Sequence, residues 1–579
     1  MRNPILTWAH TGEVASARGA IAAVAIFVVL FCVTVPETTA DTPVYVDQVL
    51  TYHQHLPDAS PLLLWEFGHL LWRPIGYSLW LTTHRLLSSW SGGNAVLEIT
   101  AGFIGLNFCA GAVVALLLFL VCRRFGLTER VALAVTAGFM LFSTTLNYIH
   151  SGAPYNLGLA AQLGGLLLIL RSGRTPRSPL YALFGGAALA LSFLLWFPYV
   201  LTVPAVLLAG LVVSPAPRTD DRLLTSGNVR TVAVAAAVTA IVGFAVFCAG
   251  ASIAHIASYP ALKQWILASA HGFNPERRWL RFPTGFTRSF LHLGYDGIII
   301  KRFALGDPYA PVSKLDLIRA GMWKVAVIFV AFAFLCANLV RRRELWPALA
   351  VFAAGFVPTV AFAILLFDTS EPARYEPAYP SLLVALCGIL MMPRNFRTPR
   401  WSLIAFLVII AVVNLKAYAW DLRSIAANVT SRAILVHEHT GHNGVAFLLS
   451  FRDPVSSYLQ RVPFSPLNEQ AALPLFHVIE PGNMNVATWK TAAACRILQA
   501  WDAGGETWLS VRLLAATPKA EWLWVEQDDS RVHWTDIPEF FTHLETDAGV
   551  GDEDGFSRIA QTETNRKTLQ KECVAFPSR

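Results

Sequence analysis

The chain has 579 residues, 55% of them apolar and only 14% charged, with a mean hydropathy of +0.49. That balance excludes a soluble enzyme of this size and requires lipid as solvent. The formal net charge of +7 is unevenly divided: residues 420–579 hold 20 acidic and 14 basic side chains, which leaves the first 419 strongly basic. Much of that excess flanks apolar runs, where it is the inside-positive signal of a membrane protein, so nucleic acid is not an expected partner.

A span needs roughly 20 apolar residues. About eleven such runs are expected, near 19–35, 96–121, 131–149, 156–170, 180–196, 199–213, 231–254, 321–340, 346–367, 380–392 and 401–419. The tenth is short, and 180–213 reads either as one long tilted span or as two half-length ones broken at Pro198. Arginines arbitrate. Arg2 and Arg18, Arg123 and Arg124, Arg171 to Arg177, Arg341 to Arg343 and Arg394 to Arg400 are all cytoplasmic if the N-terminus is inside and 180–213 crosses twice; a single crossing exports Arg341 to Arg343. The first run lacks a small-residue cleavage site followed by soluble protein and reads as a retained anchor. The resulting multi-pass topology places loops 36–95, 255–319 and 368–380, and everything after Trp420, on the non-cytoplasmic face.

The first of these loops, from Pro36 to Tyr77, is the densest in ionisable groups: Glu37, Asp41, Asp47, Asp58 and Glu66 beside Tyr45, His53, His55, His69 and Arg73. A carboxylate at the membrane surface can take a proton from an acceptor while the partner substrate stays in lipid. Asp41 precedes a predicted helix, so it is either the N-cap above Pro43, or a general base, or both. Asp47 is a second catalytic candidate, with a solvated or hydrogen-bonded neighbour as its alternative. Tyr45 is a substrate-binding candidate. Pro61 to Leu87 alternates Leu and Trp with Glu66, His69, Arg73 and His84, which predicts a helix lying in the interface plane. There Glu66, His69 and Arg73 are spaced to meet, as a structural ionic patch or around an anionic head group.

The turn His150 to Asn156 offers His150, either lining a cleft or hydrogen-bonded within the loop. In loop 255–319, His271, Arg277, Arg278, Arg281 and Arg288 alternate with Phe273, Trp279, Phe282, Phe286 and Phe290. That mixture suits a segment gripping phosphates at the acyl boundary, or an ordinary interfacial helix.

The late loop Asp368 to Pro380 carries Glu371, Arg374 and Tyr375 and enters an apolar run through Pro377 and Pro380. This Arg-Tyr segment, together with a first loop holding Asp41 and Tyr45 ahead of an interfacial helix, resembles the GT-C glycosyltransferases, the group that includes protein O-mannosyltransferases and aminoarabinose transferases. The resemblance covers residues 1–420. It implies a mainly α, polytopic helix bundle and a polyprenyl-phosphate sugar donor with its tail in the bilayer. The acceptor would be a glycan, lipid or protein. Asp41 would deprotonate the acceptor hydroxyl, and Arg374, with Arg73 or Arg288, would hold the departing phosphate. Thr42 follows Asp41 where the group commonly has an Asp-Glu pair, so a divalent metal is possible but not required.

Residues 420–579 form a separate domain, α/β or α+β, with strands expected at 432–436, 446–450 and 507–514 and a helix at 536–544 turning Phe540 and Phe541 inward. Cys495 and Cys573 are its cysteines, and an oxidising compartment would allow them one disulfide. Asp552 to Gly555 is too short for a calcium loop and reads as a solvated acidic turn. Two other classes remain: a non-catalytic envelope scaffold, and a transporter, which would need ionisable groups midway through its spans.

Overall fold

The computed structural model describes residues 16–38, 41–172, 178–212, 226–269, 278–294, 299–300, 303, 312–366, 369, 371–392, 397–425, 427, 431, 438–440, 443–449, 476–479, 488–514, 536–550 and 555–573. The chain divides into two compact units, Met1–Gly297 with Ile318–Trp420, and Ile298–Leu317 with Asp421–Arg579.

The first unit is helical. Its elements are α1 (Ala17–Val33), α2 (Thr42–Gln54), α3 (Trp72–Ser91), α4 (Ala95–Arg124), α5 (Glu129–Met140), α6 (Ser143–Tyr148), α7 (Tyr155–Ser172), α8 (Ser178–Leu195), α9 (Val203–Val212), α10 (Ser226–Ile253), α11 (Tyr259–Ala268) and α12 (Arg278–Phe290), followed by α13 (Met322–Arg341), α14 (Trp346–Leu365), α15 (Tyr379–Leu390) and α16 (Arg397–Leu415). Among the described residues five helices are long and apolar enough to cross a membrane: those at 95–124, 229–253, 322–341, 343–365 and 404–425. Helices at 17–33, 179–195 and 197–212 are apolar but shorter.

Two apolar runs are broken, 131–149 unexpectedly and 180–213 close to the break expected at Pro198. The 131–149 run is two helices, α5 and α6, parted where Phe142 takes an extended backbone just ahead of Ser143, Thr144 and Thr145. Run 180–213 breaks at Trp196, whose extended backbone (φ −150°, ψ 110°) precedes a 3-10 segment, Phe197–Thr202. Pro198 prevents α8 from continuing, since it has no N–H for the Leu194 carbonyl, which accepts from Leu71 N–H instead (3.1 Å). The expected interfacial helix from Pro61 is also different. Residues 61–63 and 67–69 are short 3-10 turns, and the helix proper starts at Trp72.

A buried amide inside an apolar helix needs partners, and Asn107 finds them on a distant turn. Asn107, midway along α4, donates to the carbonyls of Ser151 (2.7 Å) and Tyr148. This ties the turn after α6 to α4. On the other side of that turn, Gly152 donates its N–H to Thr42 Oγ1 (2.7 Å) and accepts from Trp72 Nε1 (2.9 Å). A Cβ at Gly152 would lie 2.8 Å from both Phe103 Cβ and Thr42 Cγ2. Gly152→Ala should therefore push the start of α2 away from α4. The expected cost is about 1–3 kcal/mol, read as a lowered melting temperature of the purified protein.

The C-terminal unit has a five-stranded mixed sheet of order β2-β1-β3-β5-β4, from β1 (Val445–Leu449), β2 (Phe476–Ile479), β3 (Thr507–Ser510), β4 (Thr546–Val550) and β5 (Phe556–Ile559). β1 pairs in parallel with β2 and β3, while β5 is antiparallel to β3 and β4. Val445, Phe447, Leu509 and Ile559 pack with Ala493, Ile497 and Trp501 of the helix Trp489–Asp502. The helix Asp536–Thr542 buries Phe540 and Phe541 as expected, and Thr507–Leu514 is a strand for its first four residues and a 3-10 turn thereafter. The strand expected at 432–436 and the acidic turn at 552–554 lie outside the described residues.

Cys495 and Cys573 are joined by a disulfide that closes a 78-residue separation and fastens the last helix, Glu563–Cys573, to the helix beneath the sheet. Replacing both cysteines by serine should destabilise this unit by about 2–4 kcal/mol, since the cross-link restricts the unfolded chain. A urea melt followed by tryptophan fluorescence would read the loss.

Candidate active site

The site is built where α2, the turn after α6, α7 and the 3-10 turn Pro372–Ala378 converge. Asp41 stands at the N-cap position of α2, with Pro43 in the first turn, yet its side chain makes no cap hydrogen bond. Its oxygen is left for other work. Tyr45, one turn on, donates its hydroxyl to Asp41 Oδ2 at 3.4 Å. Burial, then the Asp41 charge, hold the Tyr45 phenol well above its ordinary pKa, so it stays a donor.

Behind Tyr45 runs a line of polar side chains. Tyr45 Oη lies 3.4 Å from His69 Nε2, and His69 Nδ1 lies 3.4 Å from Glu66 Oε2, contacts at the long end for hydrogen bonds. Arg73 is ion-paired with Glu66, donates to the Leu63 carbonyl (3.1 Å) and lies over the Tyr45 ring. Glu66, His69 and Arg73 are all buried. The structural ionic patch thus describes this trio: Arg73 and Glu66 are directed at each other, and the patch braces the Tyr45 side of Asp41. The pairing differs in one detail from the spacing argument, in that Glu66 contacts both partners. Asp47 falls on the exposed face of α2, away from the buried Tyr45, Val46 and Val49.

On the opposite side lies the late loop. Glu371 accepts a hydrogen bond from the Tyr148 hydroxyl, and Arg374, 9% exposed, stacks over the Trp196 ring with its guanidinium carbon 5.5 Å from the centroid. Tyr155 feels the charges of Asp41, Arg374, Glu371 and Glu376, so groups of the first loop and of the late loop act on one buried phenol. Tyr375 plays a different part. Its hydroxyl donates to the Thr369 carbonyl (3.0 Å) and its ring packs on Phe282 and Phe286. Both halves of that side chain serve the packing of the loop.

Arg288 of α12 is a third exposed, at 33%, and pairs with Glu37 at 3.5 Å. Glu37 also meets His292 at 3.4 Å, and its backbone N–H, with that of Thr38, is held by Asn147 Oδ1. Glu371 and Tyr148 are electrostatic neighbours of Arg288. His271 lies outside the described residues. His150 bonds Thr34 Oγ1 at 2.9 Å and stacks on Phe31, the loop-histidine role, and burial lowers its pKa to about 4. Among the described residues no group of three or more His, Cys, Asp and Glu side chains is arranged to hold a metal ion.

The floor of the site was not foreseen. Tyr148, Tyr155, Trp196 and Tyr199 form a row of buried rings with successive centroids 4.8, 4.5 and 5.5 Å apart. Buried aromatics at the ends of apolar runs look like core in a sequence. The one available signal was Tyr155-Asn156 and Phe197-Pro198-Tyr199 falling at run boundaries, where amphipathic rings concentrate. An aromatic floor beside one cation and three carboxyl groups can seat an anionic head group against Arg374 and an uncharged ring on the phenols.

Among the solved structures similar to this chain are three of an archaeal oligosaccharyltransferase. One is the archaeal oligosaccharyltransferase AglB from Archaeoglobus fulgidus in complex with an inhibitory peptide and a dolichol-phosphate, at 14% identity and TM-score 0.39, covering 94% of this chain and 74% of that one. The oligosaccharyltransferase of the same organism in complex with Zn and sulfate matches at 12% identity and TM-score 0.39, over 93% and 73%. Its apo form matches at 13% and 0.42, over 94% and 74%. No protein-family model and no curated protein matches the chain. With TM-scores below 0.5 the likeness carries no residue correspondence.

Proposed function

We propose that the protein is a polytopic membrane glycosyltransferase that moves a sugar from a polyprenyl-phosphate donor to an acceptor hydroxyl on the non-cytoplasmic face. The observation that supports this best is the convergence of an uncapped carboxylate, Asp41, and a stacked arginine, Arg374, around Tyr155. Transfer needs both: a base for the incoming hydroxyl and a fixed cation for the phosphate that leaves.

In this reading Asp41 accepts the proton of the acceptor hydroxyl as its oxygen attacks the anomeric carbon. Tyr45, an obligate donor, holds Asp41 in place. Arg374 binds the phosphate, and Arg288, drawn to Glu37 and Glu371, completes its cationic surround. Asp47, Tyr375 and the buried Glu66–His69–Arg73 trio have no place in contact with substrate.

The test is a transfer assay on the full-length protein in lipid nanodiscs, with a radiolabelled polyprenyl-phosphate sugar as donor and release of polyprenyl phosphate as readout. Donor turnover that depends on Asp41 supports the enzyme. Failure of the intact protein to bind any polyprenyl phosphate removes this reading and favours an envelope scaffold.

A further inference from the structure

The 3-10 turn that carries Arg374 also carries a carboxyl for which the transfer reaction has no use. Glu376 is wholly buried. Its Oε1 lies 3.3 Å from Tyr199 Oη, and its Oε2 has no hydrogen-bond partner among the described residues. Tyr199 has one hydroxyl proton and two acceptors within reach, the Tyr155 carbonyl at 2.9 Å and Glu376 Oε1 at 3.3 Å. The shorter contact takes the proton. A carboxylate at the second contact would then set two lone pairs against each other in a water-free site, at a full desolvation cost.

A carboxylic acid removes the conflict. Its O–H donates to Tyr199 Oη, whose own O–H donates to the Tyr155 carbonyl, and every proton is used once. Burial acts in the same direction, raising the Glu376 carboxyl from 4.5 to about 8. The groups that face it are phenols: Tyr199 from the 3-10 segment after α8, Tyr155 from α7 and Tyr379 from α15. Of the other elements packed on this turn, α6 brings Tyr148, α12 brings Arg281 and Arg288, and α14 has no titratable side chain. Among the described residues no cation is ion-paired with Glu376, and Arg374 is turned onto Trp196 instead.

We infer that Glu376 is kept as a neutral acid, and that the chain from Glu376 through Tyr199 to the Tyr155 carbonyl fastens the Arg374 turn to the first turn of α7. Glu376 is a positioning residue for Arg374. Gly158 makes the arrangement possible, since a Cβ there would lie 2.4 Å from the Tyr199 ring. The functional half of this inference rests on the phosphate-binding role proposed above for Arg374. The protonation half does not.

Infrared difference spectra between the full-length protein and Glu376→Gln, in nanodiscs, test the protonation. The wild type should show the carbonyl stretch of a protonated carboxyl at neutral pH, fading as pH passes through about 8. Its absence at neutral pH overturns the inference. Linkage has a definite sign here. The folded-state value is raised, so the folded chain holds the proton longer, and the stabilisation present below about 4.5 is lost as pH rises toward about 8. Glu376→Gln, whose amide donates in the same place at every pH, should therefore gain in melting temperature relative to wild type across that window; a constant difference overturns the inference.

Binding of a polyprenyl monophosphate gives the functional readout. Wild-type affinity should fall about tenfold above pH 8, Glu376→Gln should show no such fall, and Glu376→Leu should be about tenfold weak at both pH values. A fall in Glu376→Gln equal to that of wild type overturns the positioning role. If Arg374→Ala binds the probe normally, the phosphate reading of Arg374 fails, while the infrared band still decides the state of Glu376.

Discussion

Asp41→Asn should abolish measurable sugar transfer while leaving the protein folded and able to bind donor. The expected fall in turnover is about 10²–10⁴-fold, the usual contribution of a positioned general base. The substitution is isosteric, and the side chain has little structural work to lose: it makes no cap bond, and its hydrogen bond from Tyr45 spans 3.4 Å. An amide oxygen accepts that bond equally well. The melting temperature should thus stay close to that of wild type, within the roughly 0.5 kcal/mol typical of substitutions outside packed or bonded positions. Normal transfer by Asp41→Asn would leave the enzyme without its base. A collapse in stability would mean that Asp41 holds α2 in place instead.

Arg374→Lys should lose nearly as much transfer as Arg374→Ala, on the order of 10²–10³-fold in turnover. Lysine keeps the charge, but its ammonium is a point donor on a flexible stem. It has neither the planar fork that matches a phosphate nor the face that lies over Trp196. Both variants should also weaken polyprenyl-phosphate binding, since the phosphate is present in donor and product alike. A lysine variant with wild-type turnover would show that only diffuse positive charge is needed, and that the Trp196 platform has no part in the chemistry. Trp196→Phe serves as a companion: it should reduce transfer while leaving Glu376 protonated, because the Tyr199 contacts to Glu376 and the Tyr155 carbonyl do not involve the indole.

The division between what was legible in the sequence and what was not follows side-chain chemistry. Asp41 could be singled out because it stands in the loop densest in ionisable groups, and Arg374 because it belongs to the Arg-Tyr segment that resembles the GT-C enzymes. Arg73, Glu66 and His69 were equally conspicuous, and their spacing correctly brought them together. Their direction was open, because it depends on where α3 begins: starting at Trp72, the helix places Arg73 in its first turn, buried against Glu66 and the Leu63 carbonyl. Tyr375 was marked by its neighbour Arg374, yet it belongs to the aromatic packing of Phe282 and Phe286. Tyr148, Tyr155, Trp196 and Tyr199 were invisible, since an aromatic at the end of an apolar run is ordinary core until its neighbours are known.

By itself, then, the amino-acid order determined the solvent of the protein, its helical class, the boundary of a polar C-terminal domain near Trp420, and the two loops in which charge collects. These are properties of composition and periodicity, which local sequence carries in full. Only tertiary structure decided which charges meet. Asp41 and Arg374 are more than 300 positions apart, and nothing local encodes their shared approach to Tyr155. That approach depends on Gly152 admitting α2 against α4, on Asn107 tying down the turn after α6, and on the break before Pro198 that turns Trp196 toward the arginine. The first two are contacts between distant segments, where close packing and the need to satisfy buried polar groups select one arrangement from many.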